Sequence, residues 1–417
     1  MVEEVAAMRI RPALVVLVAA LTVGASGAGA VLDPTFGGDG RVRTRFPGGA
    51  YATDVAVVPA GGLVAVGAAA GPDDDGVFAV ARYRNDGGLL TGFGDGGRVV
   101  TAVSSGGDVA NAVATSPGGR IVVAGTAGRD AFAVVRYLPD GSLDPGFGGD
   151  GIVRTDVTPD RFDIAYDVTV LDDGRVVVAG STGTRRPRFA LVRYRADGHR
   201  DRSFGGDGIV VTPMGVWGQA LAMAVQSNGR MVLAGTDGAG GALARYLPDG
   251  SLDPSFGRGG VVRGAWRLAW FRAVAIGPDG SIVVGGDRDI FATALARFTP
   301  HGRPDPSFGG DGRVVLDLGT SEEAAVGVDV LAGGAVVGAG YTGPHESVEE
   351  EPFRFTAFRL RADGRLDPRF GDDGVEVTRF GDGALAMGAT LGRGKLVVAG
   401  AAGWPRAEGF ALVRYRI

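Results

Sequence analysis

Three histidines are the first residues to test for chemistry, because imidazole is the side chain whose proton moves near neutral pH. They are His199, His301 and His345. His199 and His301 fall in or beside the same kind of turn in different repeats, and His345 falls in a long loop on the opposite side. A site that needs two or three converging imidazoles is therefore not expected. Cysteine is absent, which removes disulfides and thiolate metal sites. The acidic runs Asp73-Asp74-Asp75 and Glu349-Glu350-Glu351 read as solvated loop tips. Recurring G-G-D-G segments each offer one or two carboxylates, whereas calcium takes roughly six to eight oxygens, so tight turns are expected there. No Lys-Ser/Thr follows them and no helix opens behind them, which excludes a phosphate loop. No catalytic residue, metal or cofactor is assigned.

An arginine recurs where a reactive group would stand alone. Arg82, Arg136, Arg193, Arg245, Arg297, Arg359 and Arg414 occupy one position of an apolar run such as FAVVRY. Strand parity puts Arg82 on a face with Phe78 and Val80, and Arg414 with Phe410 and Leu412. A guanidinium on an apolar face needs an acceptor. The candidates are Asp33, Asp144, Asp201, Asp253, Asp305 and Asp367. A charge repeated in every unit is a structural device, since an active site is built once per fold.

The elements behind these residues repeat. The anchor LDPTFGGDG begins at Leu32 and returns in variants such as LDPGFGGDG and LDPRFGDDG. Its phenylalanines are Phe36, Phe93, Phe147, Phe204, Phe256, Phe308 and Phe370, spaced 52 to 62 residues apart. Each unit carries four strand signals. Unit two shows Ala110 to Thr115, Ile121 to Gly125, Phe132 to Tyr137 and Ile152 to Thr155, split by Gly, Pro and Asp turns. Seven such units predict an all-β fold, a seven-bladed β-propeller with four antiparallel strands per blade. The Ala-rich first strand suits the crowded axis. The chain opens with an outer-type strand, Arg41 to Arg45, and ends after a third-type strand, Phe410 to Tyr415. Pairing these two would close the ring and remove exposed edges.

The L-D-x-x-F-G-x-x-G anchor, the V-V-A-G strand and the F-A-x-x-R-Y strand together resemble the delta-60 repeat family over nearly all of residues 31–417. Unit two departs from the pattern with Leu90 where Asp is usual, and unit five with Arg258-Gly259. The resemblance implies a propeller-like bacterial extracellular or surface protein, and it carries over no catalytic residues.

Residues 1–30 read as a signal peptide. Arg9 and Arg11 precede an apolar stretch, Ala13 to Ala25, too short for a comfortable span, and Ala28-Gly29-Ala30 makes a cleavage site. Glu3 and Glu4 fit a signal badly, which makes Met8 a second candidate start. An uncleaved anchor is the rival reading. Residues 31–417 are expected as one propeller, secreted or at the cell surface and monomeric, with no membrane contact once the signal is removed. The net charge of −5 and the lack of a basic run argue against nucleic acid.

Chain direction sorts the loops. First-to-second turns and third-to-fourth connections share one face and are nearly uniform, as in Asp172-Asp173-Gly174 and Pro278-Asp279-Gly280. Second-to-third loops and blade crossings share the other face and differ in every unit. That variable face holds Trp217, Trp266, Trp270 and Trp404. A ligand-binding cluster of Trp217, Trp266, Trp270, Arg185 and Arg186 is expected there, for an unknown extracellular protein, peptide or glycan. The competing expectation is that these rings pack between blades. The function read from this is a non-catalytic binding or scaffold module. The alternative is a propeller enzyme of lyase, lactonase or oxidoreductase type at the channel mouth. The scarcity of histidine and the lack of a unique carboxylate pair on the inner strands count against that alternative.

Overall fold

Strands of two to nine residues alternate with glycine-rich turns from Arg41 to Arg416. The computed structural model describes residues 31–417 apart from 72–74, 129, 160–161, 268, 290, 319, 321, 344–351 and 382. The signal segment, His345, Asp73, Asp74 and Glu349 to Glu351 lie outside the described residues. The strands form seven four-stranded antiparallel sheets, a seven-bladed β-propeller. Among the described residues no helix is long and apolar enough to cross a membrane.

Six blades use four consecutive strands. The seventh takes its outer strand from the start of the chain: β1 (Arg41–Thr44) pairs with β28 (Gly409–Arg416). The register runs from Arg41 opposite Val413 to Thr44 opposite Phe410. The edges predicted to meet do meet.

The V-V-A-G glycine has a physical cause. Every innermost strand carries a β-bulge at the same point, after Ala52, Ala110, Ala165, Ala220, Phe271, Ala325 and Ala386. The bulge drives a backbone carbonyl against the second strand. A Cβ on Gly67 would stand 2.0 Å from the Tyr51 oxygen, and one on Gly286 would stand 1.7 Å from the Trp270 oxygen. Only glycine fits that approach. The extra residues of the bulges are Thr53, Asn111, Tyr166, Leu221, Arg272, Val326 and Met387, and all seven line the central channel.

The core lies in the seams between blades. Val177, Ala179 and Leu191 of blade three pack with Ala220, Met231 and Leu233 of blade four, for example. The anchor phenylalanines plug these seams; six are fully buried and Phe370 is 3% exposed. Five of the repeated arginines, Arg136, Arg193, Arg245, Arg297 and Arg414, stack on them, at 4.6 Å for Arg136 over Phe147 and 4.5 Å for Arg193 over Phe204. They also meet the expected aspartates: Arg136 with Asp144 at 2.8 Å, Arg193 with Asp201 at 2.8 Å, Arg245 with Asp253 at 2.9 Å and Arg297 with Asp305 at 2.7 Å. Arg359 reaches Asp367 at 3.3 Å and Arg414 reaches Asp33 at 2.8 Å. Arg82 follows a different rule because Leu90 stands at the anchor Asp position. Its guanidinium donates to the carbonyls of Gly61, Leu63 and Tyr83 at 2.7 to 3.0 Å.

A second seam escaped the sequence reading. The tyrosine after the arginine donates to a threonine of the preceding blade's outer strand, as in Tyr194 to Thr155 at 2.7 Å and Tyr246 to Thr212 at 2.8 Å. Where the tyrosine is replaced, the threonine is too. Phe298 aligns with Gly264, and Leu360 packs in one cluster with Leu316. At this seam, among the described residues, no tyrosine or threonine hydroxyl loses its partner through these replacements.

Candidate functional site

The variable-face loops are held from below by buried acids. Asp108 accepts the backbone N–H of Val103 at 2.7 Å and of Ser104 at 2.9 Å; Glu323 accepts those of Leu318 and Thr320. Asp237 accepts from Ala239, Gly240 and, across to the next crossing, Gly264. Burial pushes the Asp163 and Glu323 carboxyls above their ordinary range, against the hydrogen bonds they accept. Loops clamped this way keep a fixed shape without regular pairing.

The five proposed binding residues separate. Trp217 is 42% exposed on the crossing into blade four, and Arg185 and Arg186 are exposed on the neighbouring loop. The N–H of Gly218 donates to the Pro187 carbonyl at 2.8 Å, which ties those two segments together. Trp266 turns inward and packs with Phe256, Phe271 and Ile282, where Arg313 lies 5.7 Å over its ring. Trp270 lies on the inner strand β18 (Ala269–Ile276), two positions before the bulged Arg272. Its half-buried ring lies against the channel-lining Arg272 guanidinium rather than among the outer loops. The variable face also opens into a cleft of about 1000 Å³ over blades one, two and seven, bordered by Tyr51, Asp75, Ser104, Asp130 and Arg406.

The channel itself is narrow, about 280 Å³, and more polar than expected. Asp54 on β2 (Ala50–Val57) and Asp167 on β10 (Asp163–Val170) both line it, which corrects the expectation that the inner strands carry no carboxylate pair. The bulge hid them, because strand parity resets there. Each clamps consecutive blades. Asp54 accepts the N–H of Val55 at 2.7 Å and of Val113 at 2.9 Å; Asp167 accepts those of Val168 and Met223, both at 2.7 Å. Burial pushes Asp54 up to about 7 and Asp167 to about 6, and the negative charge of Asp167 adds to the rise at Asp54. Arg272 is the one cation lining this channel among the described residues. It pairs through Nε with Asp287, whose side chain is 2% exposed, and lies 5.6 Å over the Trp270 ring. Gln219 donates to the Tyr166 hydroxyl at 3.2 Å beside it. Among the described residues no group of three or more His, Asp or Glu side chains comes together as a metal site.

A ring of seven bulged inner strands around a polar channel, with one uniform and one variable face, defines a β-propeller repeat protein. Residues 117–147, 171–204, 226–256 and 277–308 match the family described as a domain of unknown function (DUF5122) beta-propeller. Among curated proteins none matches the chain. Solved structures of similar shape include a streptogramin B lyase, at 10% identity and a TM-score of 0.52 over 90% of this chain and 97% of the lyase. The PQQ-bound aldose sugar dehydrogenase of Streptomyces coelicolor is 15% identical, with a TM-score of 0.44 over 76% of this chain and 96% of that one. A gluconolactonase of Xanthomonas campestris is 14% identical, with a TM-score of 0.41 over 90% and 99%. The likeness to the lyase shows a shared fold alone, and none of the three carries an activity across.

Proposed function

We propose that the chain is a secreted binding module of the delta-60 repeat type, which holds an extracellular protein, peptide or glycan on its variable loop face and does no chemistry on it. One observation carries this reading. Trp217 presents an open ring on the segment that is tied to the loop of the exposed Arg185 and Arg186, while the opposite face is one turn repeated. An exposed aromatic beside guanidinium groups is a composition that interfaces favour. The second reading, an enzyme at the channel mouth, draws support from Asp54 and Asp167. Both carboxylates already accept backbone N–H groups from two strands, which suits a clamp better than a proton shuttle.

A glycan and peptide array probed with the purified protein tests the proposal. A ligand should appear whose binding falls about tenfold or more in Trp217→Ala and in the Arg185→Ala, Arg186→Ala pair, with melting unchanged. Binding untouched by both variants would reject this face. Secretion is checked separately, by N-terminal sequencing of protein recovered from culture medium, which should begin at Val31.

A further inference from the structure

The fold has no need of the polar cluster at the channel mouth of blades three to six. At the bulged position the other blades carry Thr53, Asn111, Tyr166, Leu221, Val326 and Met387. One residue beyond the close-packed glycine of the second strand they carry Ala68, Thr126, Ser181, Thr236, Tyr341 and Ala401. Only blade five places an arginine and an aspartate at these two positions, and only there do they pair. The seam arginines are a structural device common to all blades; this pair is not.

Its surroundings have the chemistry that recognises a polyol. Trp270 offers a half-buried ring with Arg272 against it at 5.6 Å. Tyr341, on the second strand of the next blade and close enough to Arg272 and Asp287 to feel their charges, is half-buried and packs against Phe353 at 5.8 Å. Tyr166 and Gln219, joined at 3.2 Å, bring a hydroxyl and a primary amide. Arg272 remains about one-third exposed after pairing with Asp287 through Nε. Among the described residues its guanidinium makes no other hydrogen bond, which leaves planar donors facing the channel. Its positive charge is already answered by Asp287, and Asp54 and Asp167 line the same channel, so an anion would meet net negative charge. The channel that Tyr166 and Arg272 line, with Trp270, Tyr341 and Gln219 flanking these two, holds about 280 Å³, below the ~300–1,000 Å³ of drug-sized pockets and of the size of one small ring.

We propose that the channel mouth is a second binding site, for a single neutral sugar ring, with Trp270 and Tyr341 as apolar platforms and Arg272, Tyr166 and Gln219 as hydroxyl-binding groups. This site is separate from the Trp217 surface and stands or falls apart from it.

The test is calorimetric titration of the whole protein, with tryptophan fluorescence in parallel. The probes are glucose, galactose, mannose, xylose and their disaccharides. Sodium acetate, sodium phosphate and tetramethylammonium chloride serve as contrasts. At least one sugar should bind saturably, and Trp270→Ala should weaken it about tenfold or more. Tyr166→Phe removes one hydroxyl from a folded protein and should also weaken binding, while Trp217→Ala should not. Absence of saturation by every sugar up to about 50 mM, binding of acetate, phosphate or tetramethylammonium in place of sugars, or sugar affinity unmoved by Trp270→Ala and Tyr166→Phe would each overturn the proposal.

Discussion

Replacing Arg297 with Met separates the seam's charge from its packing. The methionine keeps most of the aliphatic stem, but it also removes the guanidinium whose Cζ lies 4.9 Å over the Phe308 ring. It removes the 2.7 Å contact with Asp305 and the donations to the Ala362 carbonyl and the Ser307 hydroxyl, both at 2.7 Å. Asp305 then keeps only the N–H and O–H of Ser307. Breaking a buried pair costs about 3–5 kcal/mol. Asp305 is 22% exposed, so water recovers part of the loss and the lower half of that range applies. We expect a loss of about 3 kcal/mol. Arg136→Met should cost less, roughly 2 kcal/mol, because Arg120 still holds Asp144 at 2.9 Å. Arg82→Met strands no carboxylate, since Leu90 is there, and should also cost less than Arg297→Met. The double change Arg297→Met, Asp305→Leu imitates the Leu90 anchor and should recover most of the loss. Urea titration with the slope held constant reads all four. If Arg82→Met costs as much as Arg297→Met, or the double variant is no better than the single, the stranded carboxylate is not the cause.

Deleting residues 31–45 removes β1 and opens the β28 edge, so size-exclusion chromatography should show aggregation or higher oligomers. Trp266→Ala should lower stability by about 3–5 kcal/mol as a core truncation, whereas Trp217→Ala should stay within about 0.5 kcal/mol in the same melt. Tyr246→Phe should cost about 1 kcal/mol by stranding Thr212, and adding Thr212→Val should return part of it. The pH profile should fall on both sides. Burial raises the Asp253 carboxyl, but Ser255, Arg245 and Arg230 outweigh it and hold it at about 2; Arg369 leads the same effect at Asp367, also about 2. Their stabilisation is present above the ordinary value of 3.8 and is lost as pH drops toward 2. Asp54 and Asp167 work in the opposite sense: they favour folding most below 3.8, and that contribution is lost as pH rises through about 6 to 7. Asp54→Asn should flatten the upper limb of the profile in thermal melts from pH 4 to 8.

What repeats along the chain was legible from it. The anchor phenylalanine, the seam arginine, its aspartate and the four strand signals recur at one spacing, so the blade count and the β1–β28 closure followed from order and length. The missing aspartate at Leu90 was legible too, though not the three carbonyls that replace it. Residues that occur once were decided by tertiary structure. Trp217, Trp266 and Trp270 all lie on or beside variable crossings, yet one is exposed, one is core and one lies against the channel-lining Arg272. Asp54, Asp167 and Arg272 reach the channel because each inner strand slips by one residue at its bulge, which reverses the parity that a sequence reading assumes. A repeat is encoded in every copy and averages over local noise. A loop's conformation and a bulge's direction are set by contacts between segments, such as the Trp270 carbonyl against Gly286 of the paired strand and the Gly218 N–H on Pro187 of the preceding blade, and only the folded sheets and their packing bring those together.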